Sequence, residues 1–533
     1  MSPVKVMIVG TGSRGGGYAE WIRRHPDTAE VVAVAEPRPE YREPVAEAHG
    51  VPPELRFEDW RAAAALPRLA DAALVCTLDD AHLAPALALA DRGYHLLVEK
   101  PLAQTPEECA QIVAAAERNG VLLGVCHVLR YTDYTRVISE IVASGRIGEI
   151  VSVDHVEPIG FWHYAHSYVR GNWRRTAEAA PMLMAKSCHD LDWLRHIVGR
   201  EAVAVSSFGS LRHFRPEQAP PGAGERCLDC DVEPECSYSA PRIYGRFLAQ
   251  GRTGWPLTVL TPEPTPETVT RALREGPYGR CVYRCDNDVV DHQVVMLEFT
   301  GGVTATFTVA AFNRARPRET AIYGTHGELY CDGSRITHYD FHSDTTETID
   351  VATAGGRSGS GHGGGDGGLL ASFLPAVAAG DPGLVRTSGA DALRSHMLVF
   401  AAERARLEER VVRLDPSADS AAPASVDASG DHGLPHGLSG ANETDDDGND
   451  HSVGGAAQAT GGVGRAGGGH GGGDHGDGAH CEREDEGGAL RVATHQPQWS
   501  QQPFEQGQHG ADPGGEREQS GEQHRERELR ADS

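Results

Sequence analysis

The stretch VKVMIVGTGSRGGG, residues 4–17, decides the fold. Its first six residues are rich in valine, isoleucine and methionine and read as a buried strand. They run into Gly10, Gly12 and Gly15, which fit G-x-G-x-x-G, and YAEWIRRHP then reads as a helix. In that context the glycines permit a tight turn and a close backbone approach to a pyrophosphate at a helix N-terminus. Glu36 closes the second strand, EVVAVAE, 21 residues beyond Gly15. An acid there binds a ribose 2′-hydroxyl and repels a 2′-phosphate, so NAD is expected. Arg38 and Arg42, just beyond, leave room for NADP. Ser13 and Arg14 are placed to line the phosphate loop. The plainer alternative is a glycine turn that holds no phosphate.

Strand and helix patterns alternate over residues 1–126, through AALVCTL, HLLVEK and VLLGVCH. That succession predicts a parallel sheet with helices on both faces. From 127 to 415 strands follow one another, among them IVSVDHVEPI, AVAVSSFGSL, DHQVVMLEFT and GVTATFTVAAFN. This predicts an α+β domain with a mainly antiparallel sheet, one face covered. MLMAKSCHDLDWLRHIVG reads as a single helix within it. Residues 416–533 are glycine-rich and hold two aromatics, Trp499 and Phe504. They are expected to be disordered, or to arise from a shifted reading frame.

The formal net charge of −27 argues against a nucleic-acid or anionic-membrane partner. No uncharged apolar run reaches the roughly 18 residues of a membrane span. The start lacks a signal-peptide pattern. Cys76, Cys109, Cys126 and Cys188 are isolated, which fits a reducing cytoplasm.

The 49 basic residues include only three lysines: Lys5, Lys100 and Lys186. Lys100 ends the strand of HLLVEK, where a parallel sheet of this kind holds its ligand. Arginine stays charged at any working pH, whereas a lysine is compact and its pKa shifts on burial. That is a reason to keep lysine beside a reacting oxygen. Glu99 precedes it and is grouped with the cofactor residues.

Glu99-Lys100-Pro101 after a Rossmann half, followed by an antiparallel domain, resembles the Gfo/Idh/MocA family of oxidoreductases. The resemblance covers about residues 4–413. It implies hydride transfer between NAD(H) or NADP(H) and a carbinol of a sugar or polyol. Some members use the same step transiently to break glycosidic bonds, and a non-catalytic sensor is a further alternative. The resemblance makes Lys100 the group that polarises the carbinol oxygen and His189 the proton acceptor. Asp192 matches the later aspartate of the family's helix signature. The earlier one is Ala185 here, with Lys186 beside it. Lys186, His189 and Asp190 share a helix face at three- and four-residue spacing, so Lys186 is a third catalytic candidate and Asp190 a substrate contact. Oligomers through the open sheet face are also implied.

FWHYAHSYVRGNWRR, residues 161–175, offers Trp162, His163, His166, Arg170, Asn172 and Trp173 to stack on a sugar ring and bond its hydroxyls. The plainer alternative is a packed interface loop. Asp366, in a glycine-rich loop at 361–368, is a candidate helix N-cap. CLDCDVEPEC supplies Cys227, Cys230 and Cys236, and CVYRC supplies Cys281 and Cys285. That spacing suits a structural zinc, which would staple a proline-rich insert at about 212–285. An iron–sulfur cluster and free or disulfide-linked thiols remain as alternatives.

Overall fold

The computed structural model describes residues 2–351 and 363–415. The expected tail from 416, and Gly361 and His362 of the glycine-rich loop, lie outside the described residues. In the first half β1 (Val4–Val9), α1 (Ser13–Arg24), β2 (Ala29–Ala35), α2 (Pro39–Ala48), β3 (Arg56–Phe57), α3 (Trp60–Ala65), β4 (Ala72–Val75), α4 (Leu83–Asp91), β5 (His95–Val98), α5 (Pro106–Arg118) and β6 (Leu123–Val125) alternate as expected. The strands lie in the order β3-β2-β1-β4-β5-β6 and every pair is parallel. β4 is wholly buried, and β1 is buried apart from Lys5. A parallel sheet covered on both faces explains why these strands read as unbroken apolar runs. Tyr18 and Ile22 of α1 pack on one face; Ala86, Leu89 and Ile112 of α4 and α5 pack on the other. The winding reverses between β2 and β4, on either side of β1, which opens a crevice at the carboxyl ends of the strands.

The second half contains α6 (Asp133–Ala143), β7 (Ile150–Pro158), α7 (Phe161–Tyr164), α8 (Met182–Ala185), α9 (Cys188–Val198) and β8 (Ala202–Ser210). An insert then carries α10 (Ala240–Ala249), α11 (Leu257–Leu260) and α12 (Pro266–Glu275). The remaining elements are β9 (His292–Phe299), β10 (Thr304–Ala310), β11 (Glu319–Gly324), β12 (Gly327–Cys331), β13 (Arg335–Asp340), β14 (Thr345–Asp350), α13 (Gly365–Ala379), α14 (Gly389–Leu407) and β15 (Val412–Arg413). Nine strands pair in the order β14-β13-β12-β11-β7-β10-β9-β8-β15. All neighbours are antiparallel except β7 and β10. Trp193 and Leu194 of α9 and Val399 and Ala402 of α14 belong to the same core as Val295, Leu297 and Phe307 of the sheet. The opposite face leaves Phe208, Val294, Met296, Tyr323 and Tyr330 exposed. α13 returns to the first half and packs Leu369, Leu370 and Phe373 with α1.

Two expectations need correction. The stretch at 182–199 is not one helix. It breaks at Lys186 and Ser187, and Ser187 leaves helical geometry with φ −104° and ψ 9°. The insert is not without a core: Ile243, Tyr244 and Phe247 of α10, Leu257, Val269, Leu273 and Tyr278 form an apolar cluster of their own. A Thr265–Thr268 capping box starts α12.

Candidate active site

The glycine turn has the geometry its sequence implies. Gly10 has φ +89°, and a Cβ there would lie 2.5 Å from the Cys76 carbonyl oxygen. A Cβ on Gly15 would lie 1.9 Å from the Gly10 oxygen, so α1 packs against the turn only with glycine at that position. Gly12 caps α1 with no side-chain bond, and Ser13 is exposed at its first turn. The first N–H groups of α1 are therefore available to an anion. Glu36 is 2% exposed and accepts from the Thr11 N–H at 3.1 Å. Arg38 donates to it from the backbone at 3.2 Å and from Nε at 2.7 Å, while its guanidinium covers the Tyr41 ring at 4.2 Å. Burial opposes ionisation of Glu36, but the Arg38 bonds outweigh it and hold the carboxyl below its ordinary range. Turn, open helix end and acid fit an NAD molecule. Glu36→Gln removes the charge that repels a 2′-phosphate and leaves Arg38 to receive it. The kcat/KM ratio of NADP to NAD should rise about tenfold or more, read from paired initial rates.

Arg14 and Glu99, expected beside the cofactor, bind each other. Arg14 Nε donates to Glu99 Oε1 at 2.7 Å, and its two terminal nitrogens reach Asp366 at 3.0 and 2.8 Å. Tyr18 also donates to Glu99 Oε1, at 2.7 Å. This knot ties α1 to the end of β5 and to α13. Asp366 is in the first turn of α13, whose cap is Gly364 rather than the expected aspartate.

Lys100 leaves β5 beside the crevice, and its Nζ donates to the Ala185 carbonyl at 2.6 Å. The break between α8 and α9 turns that carbonyl to the lysine. Two histidines hold the following turn. His82 Nδ1 bonds the Pro101 carbonyl at 2.8 Å, and the Leu102 N–H donates to His396 Nε2 at 2.9 Å. His396 Nδ1 must then carry the proton that it donates to Ala392 O; burial pushes its pKa down to about 3, so it is neutral. Lys186 stands 3.4 Å from Glu157 Oε1 of β7. Burial lowers its pKa; Glu157 opposes that, while Arg318 and Lys100 add to it. His189 is 6% exposed, and its ring centre lies 5.7 Å from that of His127. His127 is fully buried with neither ring nitrogen hydrogen-bonded among the described residues, and its Nδ1 is 4.0 Å from Asp192 Oδ2. Asp192 is engaged by Arg130, at 2.7 Å from Nε, and by Ser395.

Asp190, expected as a substrate contact, is held inside the protein. It is fully buried and accepts from Arg318 and from His155 Nε2, the latter at 3.1 Å. Burial raises its pKa, but Arg318 outweighs that and holds it well below the usual carboxylate range. Arg318 also reaches Glu157 Oε2 at 2.8 Å.

The segment 161–175 is partly a packing element. A wide helical turn, Ala165–Arg170, is buried throughout. Arg170 donates to Arg280 O at 2.8 Å, to Tyr238 O at 2.8 Å and to Cys227 Sγ at 3.4 Å, so it anchors the insert rather than a substrate. His166 bonds the Tyr244 hydroxyl at 2.8 Å and stacks on Tyr278; burial pushes its pKa down to about 3. It too is a core group. Trp162 and His163 are half-buried against Trp255, and Asn172 is exposed. Trp173 Nε1 donates to Asp79 Oδ2 at 3.0 Å.

Among the described residues the cysteines are free thiols. Among the described residues no group of three or more His, Cys, Asp or Glu side chains is arranged to hold a metal, so the zinc expected at Cys227, Cys230, Cys236 and Cys281 or Cys285 is not supported. These sulfurs instead meet protein donors and acceptors: Cys230 accepts from Gly224 N, and Cys285 donates to Cys281 O at 3.2 Å.

Sequence reasoning missed Asp79, His82, His127, Glu157, Arg318 and His396. Asp79 alone had a usable signal, since it follows β4 at the carboxyl edge as Lys100 follows β5. It is 7% exposed, and burial pushes its pKa up to about 6 against the pull of Lys100 and His82. The fold therefore favours protonated Asp79. That contribution is complete below about pH 4, the unfolded value, and is lost as pH rises through about 6. Asp79→Asn keeps the Trp173 bond without the charge. It should stabilise the protein by about 2–3 kcal/mol at pH 8 and by little near pH 4, as measured by urea melts.

A glycine turn with an acid after β2, and Lys100 bonded to the segment that precedes His189, are the features of an NAD-binding oxidoreductase in two halves. Residues 4–127 match the oxidoreductase family model for an NAD-binding Rossmann fold, and 139–358 match that family's C-terminal alpha/beta domain. The chain belongs to the Gfo/Idh/MocA oxidoreductase family. It is 34% identical over 141 residues to 1,5-anhydro-D-fructose reductase of Ensifer adhaerens, which covers 26% of this chain and 41% of that one. It is 27% identical over 212 residues to 2,7-anhydro-N-acetylneuraminate hydratase of Escherichia coli K12, covering 39% and 54%. The chain thus spans about half or less of these two relatives. Levoglucosan dehydrogenase in complex with NADH has a similar fold, with TM-score 0.57, 20% identity and coverage of 78% and 99%. Among the described residues no helix is long and apolar enough to cross a membrane.

Proposed function

We propose that the protein transfers hydride between NAD and a carbinol carbon of a sugar or cyclic polyol. Residues 1–126 would serve the cofactor, and 127–415 the substrate and self-association through the apolar open sheet face. The observation that carries this reading is the bond from Lys100 to the Ala185 carbonyl, which brings a lysine of the Rossmann half to the segment bearing Lys186 and His189. When bound, the nicotinamide supplies the hydride acceptor. Lys100 polarises the carbinol oxygen and His189 takes its proton. Lys186, with its lowered pKa, is a second donor to substrate oxygen. Trp162, His163 and Asn172, half-buried or exposed in the substrate segment, would be its contacts to a ring. NADP use would depend on Arg38 leaving Glu36.

A second reading follows from the hydratase relative: bound NAD could be reduced and reoxidised within one turnover. A panel of sugars, inositols, anhydrosugars and glycosides with NAD and NADP tests both. The first reading expects stoichiometric NADH; the second expects product without net NADH and with cofactor retained through purification. NAD binding with no product from any panel member would overturn both.

A further inference from the structure

Asp79 opens the turn after β4, and Lys100 ends the neighbouring strand β5, so both stand at the carboxyl edge of one parallel pair. A carboxylate this buried ordinarily has a cation against it. Here the direct donor is neutral, the Trp173 indole at 3.0 Å, and it accounts for one of the two oxygens. Lys100 lies within Coulombic reach, but its Nζ donates to the Ala185 carbonyl and, among the described residues, makes no hydrogen bond to Asp79. The charged and titratable groups around Asp79 are Lys100 and Glu99 from the end of β5, His82 from its own turn, Tyr168 from the substrate segment and Cys188 from the start of α9. Asp79 therefore sits where cofactor half, substrate segment and the start of α9 meet, as a carboxylate whose hydrogen bond comes from a neutral donor.

We propose that Asp79 is a substrate-facing carboxylate that accepts a hydrogen bond from a hydroxyl beside the reacting carbinol and selects neutral polyols over acidic sugars. This rests on the oxidoreductase reading above. A polyhydroxylated ring supplies the O–H donors that the free oxygen needs. A uronate brings a second negative charge into the same buried space. Protonation of Asp79 removes both effects, so the reaction gains an acid limb near pH 6.

The test compares the native chain with Asp79→Asn, Asp79→Glu and Trp173→Phe on a neutral polyol found active in the panel, and on a hexose and its hexuronate. In Asp79→Asn the acid limb of kcat/KM should disappear and its plateau fall about ten- to a hundredfold, with NADH affinity by fluorescence unchanged. Use of the hexuronate relative to the hexose should rise. Asp79→Glu should restore a limb, and Trp173→Phe, which loses the donor favouring the ionised form, should move it to higher pH. An Asp79→Asn enzyme with the native pH profile and native hexuronate ratio would overturn this proposal alone. A native chain inert on every sugar would overturn the reading beneath it.

Discussion

Lys100→Arg loses about a hundred- to a thousandfold in kcat, the usual cost of removing a positioned donor to a reacting oxygen, while binding NAD as tightly as the native chain. The variant keeps the charge, so any loss reports on shape and proton chemistry. The lysine Nζ is a point donor held 2.6 Å from one carbonyl in a turn pinned by His82 and His396. A guanidinium is a planar fork that projects farther and stays protonated at every working pH. At this position it would displace the carbinol oxygen or lose the Ala185 carbonyl. The glycine turn and Glu36 lie on other strands, so NADH fluorescence titration should be unaffected. Lys5→Arg, an exposed change, is the control and should turn over normally. Near-native turnover of Lys100→Arg would refute a catalytic role for the lysine.

The scarcity of lysine made this residue visible before any geometry, and the first half was legible for a related reason. Parallel strands buried on both faces leave apolar runs, and glycine marks backbone positions that a Cβ would block, as at Gly10 and Gly15. What escaped the sequence depends on long-range contact. Arg14 looks like a phosphate ligand until Asp366, 352 residues away in the chain, takes its guanidinium. Asp190 lies in the register of a helix face with Lys186 and His189, but the break at Ser187 and the approach of Arg318 turn its carboxylate into the second sheet's core. The proline-rich insert seemed to need a staple because its core draws on three short helices rather than one long one. Asp79 is an ordinary loop aspartate by sequence; only burial makes it unusual.

Arg318 shows how much this site depends on charges out of contact with water. Replacing it with methionine should cost about 3–5 kcal/mol at pH 8, because two carboxylates are then left buried without their main cation. Asp190 is fully buried and Glu157 is 5% exposed. Without Arg318, Asp190 keeps only His155, and Glu157 keeps Lys186 at 3.4 Å. The pH dependence has a definite sign. In the native chain the Asp190 pKa is depressed, so its stabilising contribution is present above the unfolded value and is lost only as pH falls through the low folded value. In Arg318→Met burial is no longer outweighed and the pKa rises. The deficit is then greatest at pH 8 and shrinks toward pH 4, where the buried carboxyl accepts a proton. Urea melts at the two pH values measure this. Adding Asp190→Asn should recover part of the loss at pH 8, since the unpaired charge goes with it. The change also reaches the crevice: Arg318 helps to lower the Lys186 pKa, and its removal leaves Glu157 to Lys186 alone. Any basic limb that Lys186 contributes to turnover should therefore move to higher pH. A stability loss below about 1 kcal/mol at pH 8, the range of an exposed pair, would refute a desolvated ion cluster behind α9.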